Sequence, residues 1–396
     1  MKIKGRIYMT ASGEAEKTEE KDRAGLKGRG TYVKAVYDAS IRKKKTFIAV
    51  MAAILLAMVI LSLSLGSVRI PAFDVLACLF NQIAPDTFAL SKPYYSNIII
   101  NGREPRILLC IFTGIALGAS GTVMQSLLRN PLVSPFTLGV SSAAAFGAAM
   151  AIAFGAAIFG SAYYGVLDVM GITFSAKTLI TILFAFMFGT LSMALVLIIS
   201  KNNIASQSVL VLSGVVVGYL FQAGVSFAKY VSDDTALREI VNWLMGGMWG
   251  ATWSSVLFIV PIVMVGFFLL ESRAVDMNTM SGGDDVAKSL GIEVHKIRRD
   301  LLIVCTLITS ACLAFTGVIG FIGLMAPHIC RILIGNDNRY LIPASALMGA
   351  IILLLSDTVA RILMSPQEIP VGILLYIIGG VFFIWLVSRK NGRYLA

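Results

Sequence analysis

Apolar stretches separated by polar ones fill the chain from residue 46 to 388, near 46–66, 98–118, 136–158, 177–199, 207–227, 252–271, 301–317, 319–334, 343–363 and 371–388. Most reach the roughly 20 residues that a helix needs to cross a hydrocarbon core. They lack the polar face that a helix packed on a soluble core would show to water. The pattern predicts an all-α polytopic membrane protein of about ten transmembrane helices, with both termini on one side. Segments 98–118 and 319–334 are interrupted by Gly and Pro, and 301–317 runs into 319–334 with almost no linker. Small residues recur at helix-packing spacing, at Gly114 and Gly118, at Gly214 and Gly218, and at Gly317, Gly320 and Gly323. In lipid, where apolar contact alone gives little association, such residues let backbones approach. They predict a tightly packed bundle.

One polar island breaks the pattern. Ser281 to Asp300 reads SGGDDVAKSLGIEVHKIRRD, charged but amphipathic through Val286, Ala287, Leu290, Val294 and Ile297. Asp284 and Asp285 follow glycines and suit a helix start, and Gly291 suits its stop. The expectation is a short helix, a turn at Gly291, and a second short helix over 293–298. A second wet segment, Lys229 to Trp253, holds Asp233, Asp234, Arg238, Glu239, Trp243, Trp249 and Trp253. Its tryptophans suit a membrane interface, and it predicts a short helix along the surface, at the mouth of a pathway or gating it.

Composition agrees with the membrane reading: 57% of residues are hydrophobic and 14% charged, against roughly 25% charged in an average soluble domain. The net charge of +11 is concentrated, since residues 1–45 hold 13 Lys and Arg against 6 Asp and Glu. That tail lacks interleaved aromatics and ends in Arg42-Lys43-Lys44-Lys45 at a membrane segment. A positive-inside anchor explains the placement better than a nucleic-acid arm. The tail 1–45 is expected to be disordered and cytoplasmic, 46–390 to form the membrane domain, and the C-terminal tail 391–396, after the basic Arg389-Lys390, to lie on the same side. The run 46–65 is too long for a signal-peptide core and lacks a small-residue cleavage site. Cys78, Cys110, Cys305, Cys312 and Cys330 are scattered, four of them in apolar spans. They predict neither a disulfide framework nor a zinc site.

The chain has no phosphate-binding G-x-x-x-x-G-K-[ST] loop, and His295 and His328 lack a ligand or nucleophile partner at short spacing. His328, after Pro327 in an apolar setting, is read as a hydrogen-bonded histidine at a helix break. Asp357 is the main intramembrane acid. An ion-coupled carrier would place several ionisable ligands at the midplane, so the energy source is expected outside the chain. No catalytic residue, metal site or bound cofactor is predicted.

Seven strings in order make the chain similar to a known family. They are REPR at 103–106, GTVMQSLLRNPLVSPFTLG at 121–139, GDDVAKSLG at 283–291, GVIGFIGLMAPHICR at 317–331, NDNRYLIP at 336–343, SDTVAR at 356–361 and EIPVGI at 368–373. Together they resemble the permease subunits of iron-siderophore, haem and cobalamin ABC importers, the FecCD family. The resemblance runs from about residue 46 to the C-terminus. It implies a type II importer permease that pairs with a second permease subunit, as a homodimer or close heterodimer, in the cell membrane. A pair of cytoplasmic ATPase subunits, which carry the ATP and Mg, would sit beneath, and an extracytoplasmic binding protein would deliver cargo.

The resemblance also implies roles. Gly283, Asp284, Asp285, Ala287, Leu290 and Gly291 match the segment that couples to the ATPase. Arg103, Arg106 and Arg361 match arginines that dock glutamates of the binding protein, to which a planar guanidinium is suited. Arg361 sits one helical turn after Asp357 and is as readily read as its internal partner. The implied cargo is a ferric siderophore or related metal chelate, with cobalamin or haem as alternatives. An ion-gradient-driven transporter and a receptor or scaffold that moves nothing are the readings from other classes.

Overall fold

The computed structural model describes residues 34, 37–85, 87–169, 172–201 and 206–388. Most of the expected N-terminal tail and all of the C-terminal segment 391–396 lie outside these residues. The chain comprises two units, Met1–Ala49 and Val50–Ala396. In the first, the described residues from 37 onward are helical. Residues 37–45, expected as disordered tail, therefore belong to a helix, in keeping with the good helix propensity of Lys and Arg.

Nine helices among the described residues are long and apolar enough to cross a membrane. They are α1 (Tyr37–Ser64), α3 (Tyr94–Leu128), α4 (Val140–Phe159), α5 (Ala176–Ile199), α6 (Gln207–Val231), α8 (Trp253–Ser272), α11 (Val294–Thr316), α13 (Asn338–Leu363) and α14 (Val371–Ser388). Shorter helices join them: α2 (Ala72–Ile83), α7 (Asp234–Met245), α9 (Ala274–Ser281), α10 (Asp284–Ser289) and α12 (Ile322–Ile334). The expected span 319–334 is the 13-residue α12, about 20 Å long at 1.5 Å per residue. It is preceded by a non-helical stretch at Gly317–Gly320. Such backbone is tolerated at membrane depth where protein buries it, and here Gly317, Val318, Ile319 and Gly320 are all buried.

α3 is the axis of the bundle: 78% of its apolar window is buried, against 22% for α1 and 28% for α5 and α14. It packs antiparallel on α13 in a constant register. Arg106 meets Asp357 at one end and Ser126 meets Asn338 at the other. Between them a Cβ on Gly114 would stand 2.5 Å from Ala350 Cα, and one on Gly118 only 2.2 Å from the Ser345 carbonyl. Side-chain-free backbone therefore sets the spacing of these two helices. The packing role expected of Gly114 and Gly118 is what the structure contains.

The sequence pattern missed a hairpin between α4 and α5, where β1 (Val166–Val169) pairs antiparallel with β2 (Ile172–Ser175), Val166 opposite Ser175. His328 also departs from expectation. Both ring nitrogens are buried without a hydrogen-bond partner, and the ring packs 6.2 Å from Phe382 and 6.3 Å from Phe383. Aromatic enclosure takes the place of the expected hydrogen bond.

Candidate functional site

The polar island folds as α9, α10 and the first turns of α11. The second short helix expected over 293–298 is instead the start of α11, which continues unbroken to Thr316. α10 is six residues long and closed by glycine at both ends, Gly283 at φ 127° and Gly291 at φ 83°. The left-handed Gly291 lets the chain turn back, so its N–H reaches Lys288 O at 2.9 Å and that of Ile292 reaches Ala287 O at 3.0 Å. These bonds satisfy carbonyls that a helix end leaves open. Asp284 and Asp285 stand in the first turn, at the positive end of the dipole.

Asp284 then does more than cap. Arg298 donates to both its oxygens at 3.0 and 2.9 Å, and Arg129 donates to Oδ1 at 2.7 Å. Arg129 also reaches Met280 O at 2.5 Å. Arg298 is wholly buried on α11, and Arg129 ends α3 in a left-handed turn at φ 45°. One carboxylate thus ties α10 to the end of α3 and the start of α11. A second tie lies on α9, where Asn278 donates to Asp337 at 2.8 Å and accepts from the N–H of Asn338 at 2.8 Å.

With Asp284 and Ala287 turned to the protein, α10 shows its other face. Val286 is 51% exposed and Leu290 68%, and Asp285 is solvent-facing beside Lys288. A cleft of about 440 Å³ opens alongside, flanked by Arg273, Asp276, Glu293, Lys296 and Asp300. The six residues predicted for this site are therefore contiguous, with Ala287 as its buried contact and Leu290 as its projecting one. Sequence reasoning missed Arg129 and Arg298 as its supports. The signal for Arg298 was present, since it falls on the stripe Val294, Leu301, Leu302, Cys305 that faces the core. A charge on such a stripe needs a partner.

The other predicted set lies at the opposite end of α3. Arg106 binds Asp357 through Nε at 3.0 Å and Nη2 at 2.9 Å, and Glu368 through Nη1 at 2.8 Å. Arg361 binds the other Asp357 oxygen at 3.0 Å and Ser62 Oγ at 2.6 Å. Arg103 is buried and donates to the carbonyls of Leu63 and Val68. All three guanidinium groups that the resemblance assigns to docking have internal partners, as buried charges need. For Arg361 the internal reading is the observed one. Arg106 alone keeps an open edge, next to the half-buried Glu368.

Residues 54–389, which hold the glycine-set helical core and the amphipathic hook, match the model of the FecCD transport family. The chain belongs to that family. It is an ABC importer permease, and the family members are transporters. It is 39% identical over 304 residues to the hemin transport system permease protein of Yersinia pestis, covering 74% of this chain and 84% of that one. It is 37% identical over 293 residues to the cobalamin import system permease protein of Halobacterium salinarum, covering 74% of each. A solved structure of a metal-chelate type ABC transporter in an inward-facing conformation superposes with a TM-score of 0.71 at 31% identity, covering 87% of this chain and 99% of that one.

Proposed function

We propose that this FecCD permease forms the membrane pathway through which a ferric siderophore or related metal chelate enters the cytoplasm. Haem and cobalamin are the alternatives, supported by the names of the hemin and cobalamin relatives. Two copies pair across the pathway, and ATP and Mg reside on a pair of partner ATPase subunits. These grip α10, so that the polar island and both termini face the cytoplasm. An extracytoplasmic binding protein is received at the opposite end, over the rim of Arg106 and Glu368, with Arg103 and Arg361 bracing that rim from beneath.

The observation that carries this reading is the presentation of α10. A six-residue helix clamped by Asp284 on one side and projecting Val286 and Leu290 on the other is built to fill an apolar groove. A hook of this kind transmits motion only if it is held stiffly from behind, and the Arg129–Asp284–Arg298 triad supplies that hold. The test is reconstitution of the permease with its ATPase and binding protein in proteoliposomes. Asp284→Asn should leave ATP hydrolysis running while uptake of a ferric siderophore falls. Full uptake by that variant would remove the clamp from the mechanism.

A further inference from the structure

Helix α2, in the connection between α1 and α3, buries Val75, Ala77 and Cys78 against the protein and turns a second apolar stripe outward. Phe73, Leu76, Phe80 and Ile83 recur at helical spacing and fall within an arc of about 80° at 100° per residue. They are 67%, 50%, 55% and 85% exposed. The side turned to the protein carries Asp74, 1% exposed, whose carboxylate accepts the Ser91 N–H at 2.9 Å and its hydroxyl at 3.0 Å. Asn81 closes the following turn, donating to Phe88 O at 2.8 Å and accepting its N–H at 3.0 Å. A helix bathed in water would bury Phe73 and Phe80 and expose Asp74. The medium beyond this face is therefore apolar.

Its depth identifies that medium. Gln82 donates to Glu104 at 2.5 Å, which fastens α2 to α3. α3 ends at Leu128, where the polar Arg129-Asn130 begins. Counting back about 20 residues for a hydrocarbon core of roughly 30 Å reaches residue 108, and Glu104 lies about 6 Å beyond it. α2 is thus held at the level of the headgroups. Exposed Arg69 before it and exposed Lys92 after it, the latter 5.7 Å from the Tyr94 ring, are the basic and aromatic residues suited to that level.

We infer that α2 is an in-plane anchor, with Phe73, Leu76, Phe80 and Ile83 sunk into the acyl boundary of the leaflet at the Arg106 end and Arg69 and Lys92 meeting lipid phosphates. It fixes the height and tilt of α3 in the bilayer at the end where Arg103 and Arg106 sit. The occupant of the apolar face is lipid, because the helix is fastened at interfacial depth to the neighbouring span.

The experiment is a nitroxide scan of the complete permease in nanodiscs of phosphatidylethanolamine and phosphatidylglycerol. Phe73→Cys, Leu76→Cys, Phe80→Cys and Ile83→Cys are labelled one at a time; the native Cys78, Cys110, Cys305, Cys312 and Cys330 are all buried. Collision with oxygen should exceed collision with a water-soluble nickel chelate at all four sites. A nickel excess would place the face in water and overturn the anchor. Shielding from both reagents once partner subunits are added would assign the face to a protein and overturn it equally. Phe80→Trp, which preserves an aromatic ring, gives an independent reading: brominated lipid should add quenching beyond that of the native tryptophans, and unchanged quenching would contradict the proposal.

Discussion

Each end of α3 carries an arginine that shares one aspartate with a second arginine, and the two arrangements differ in what surrounds the acid. At one end Asp357 is wholly buried inside the 26-residue α13, held between Arg106 and Arg361. At the other, Asp284 stands on the six-residue α10, its side chain 19% exposed, held between Arg129 and Arg298. The first triad joins long helices to one another, with Ser62 of α1 completing it. The second joins a small hook to the bundle. The same chemistry thus serves as a staple where the acid is dry and as an adjustable mount where water still reaches it.

The difference sets an order of effects. Asp357→Ala removes the acid shared by two buried guanidinium groups, leaving Arg361 with only uncharged partners, and should destabilise the fold by about 3–5 kcal/mol, read as a large fall in the melting temperature of the detergent-solubilised permease. Asp284→Ala should cost less, about 1–3 kcal/mol, because Asp284 and Arg129 are already partly solvated and only Arg298 is left buried. If the two variants melt alike, the distinction between staple and mount fails. Val286→Ser with Leu290→Ser should leave the melting temperature nearly unchanged, since both side chains already face solvent. The same double variant should weaken ATPase association at least tenfold, a shift of about 1.4 kcal/mol, measured by titration in nanodiscs. Asp285→Asn removes an exposed pair with Lys288 at 3.3 Å and one exposed charge at the helix start. It should change stability by less than about 0.5 kcal/mol, and a larger loss would show that this face is not free.

The spans were legible because lipid imposes a composition on whole segments, and α10 because glycine and aspartate mark helix ends locally. Gly283 and Gly291 could be read as its boundaries without any tertiary information. The triads were not legible in the same way. Arg129 and Asp284 are 155 residues apart, and Arg106 and Asp357 are 251, and no local rule joins residues at such separation. Arg361, one turn from Asp357, is the exception, and its pairing with that acid is present in the structure. The β1–β2 hairpin escaped because its strands are only four residues each, too short to stand out beside the spans. The length of α12 was hidden by Gly317 and Gly320, which keep an apolar composition while ending the helix.

The most direct test of the central claim, that α10 is the surface gripped by the ATPase, is cross-linking in the assembled complex. Leu290→Cys and Val286→Cys should each form a cross-link to the ATPase through a short bifunctional maleimide, while Ile83→Cys at the far end should form none. An intact, ATP-hydrolysing complex in which neither position 286 nor 290 cross-links would contradict the account.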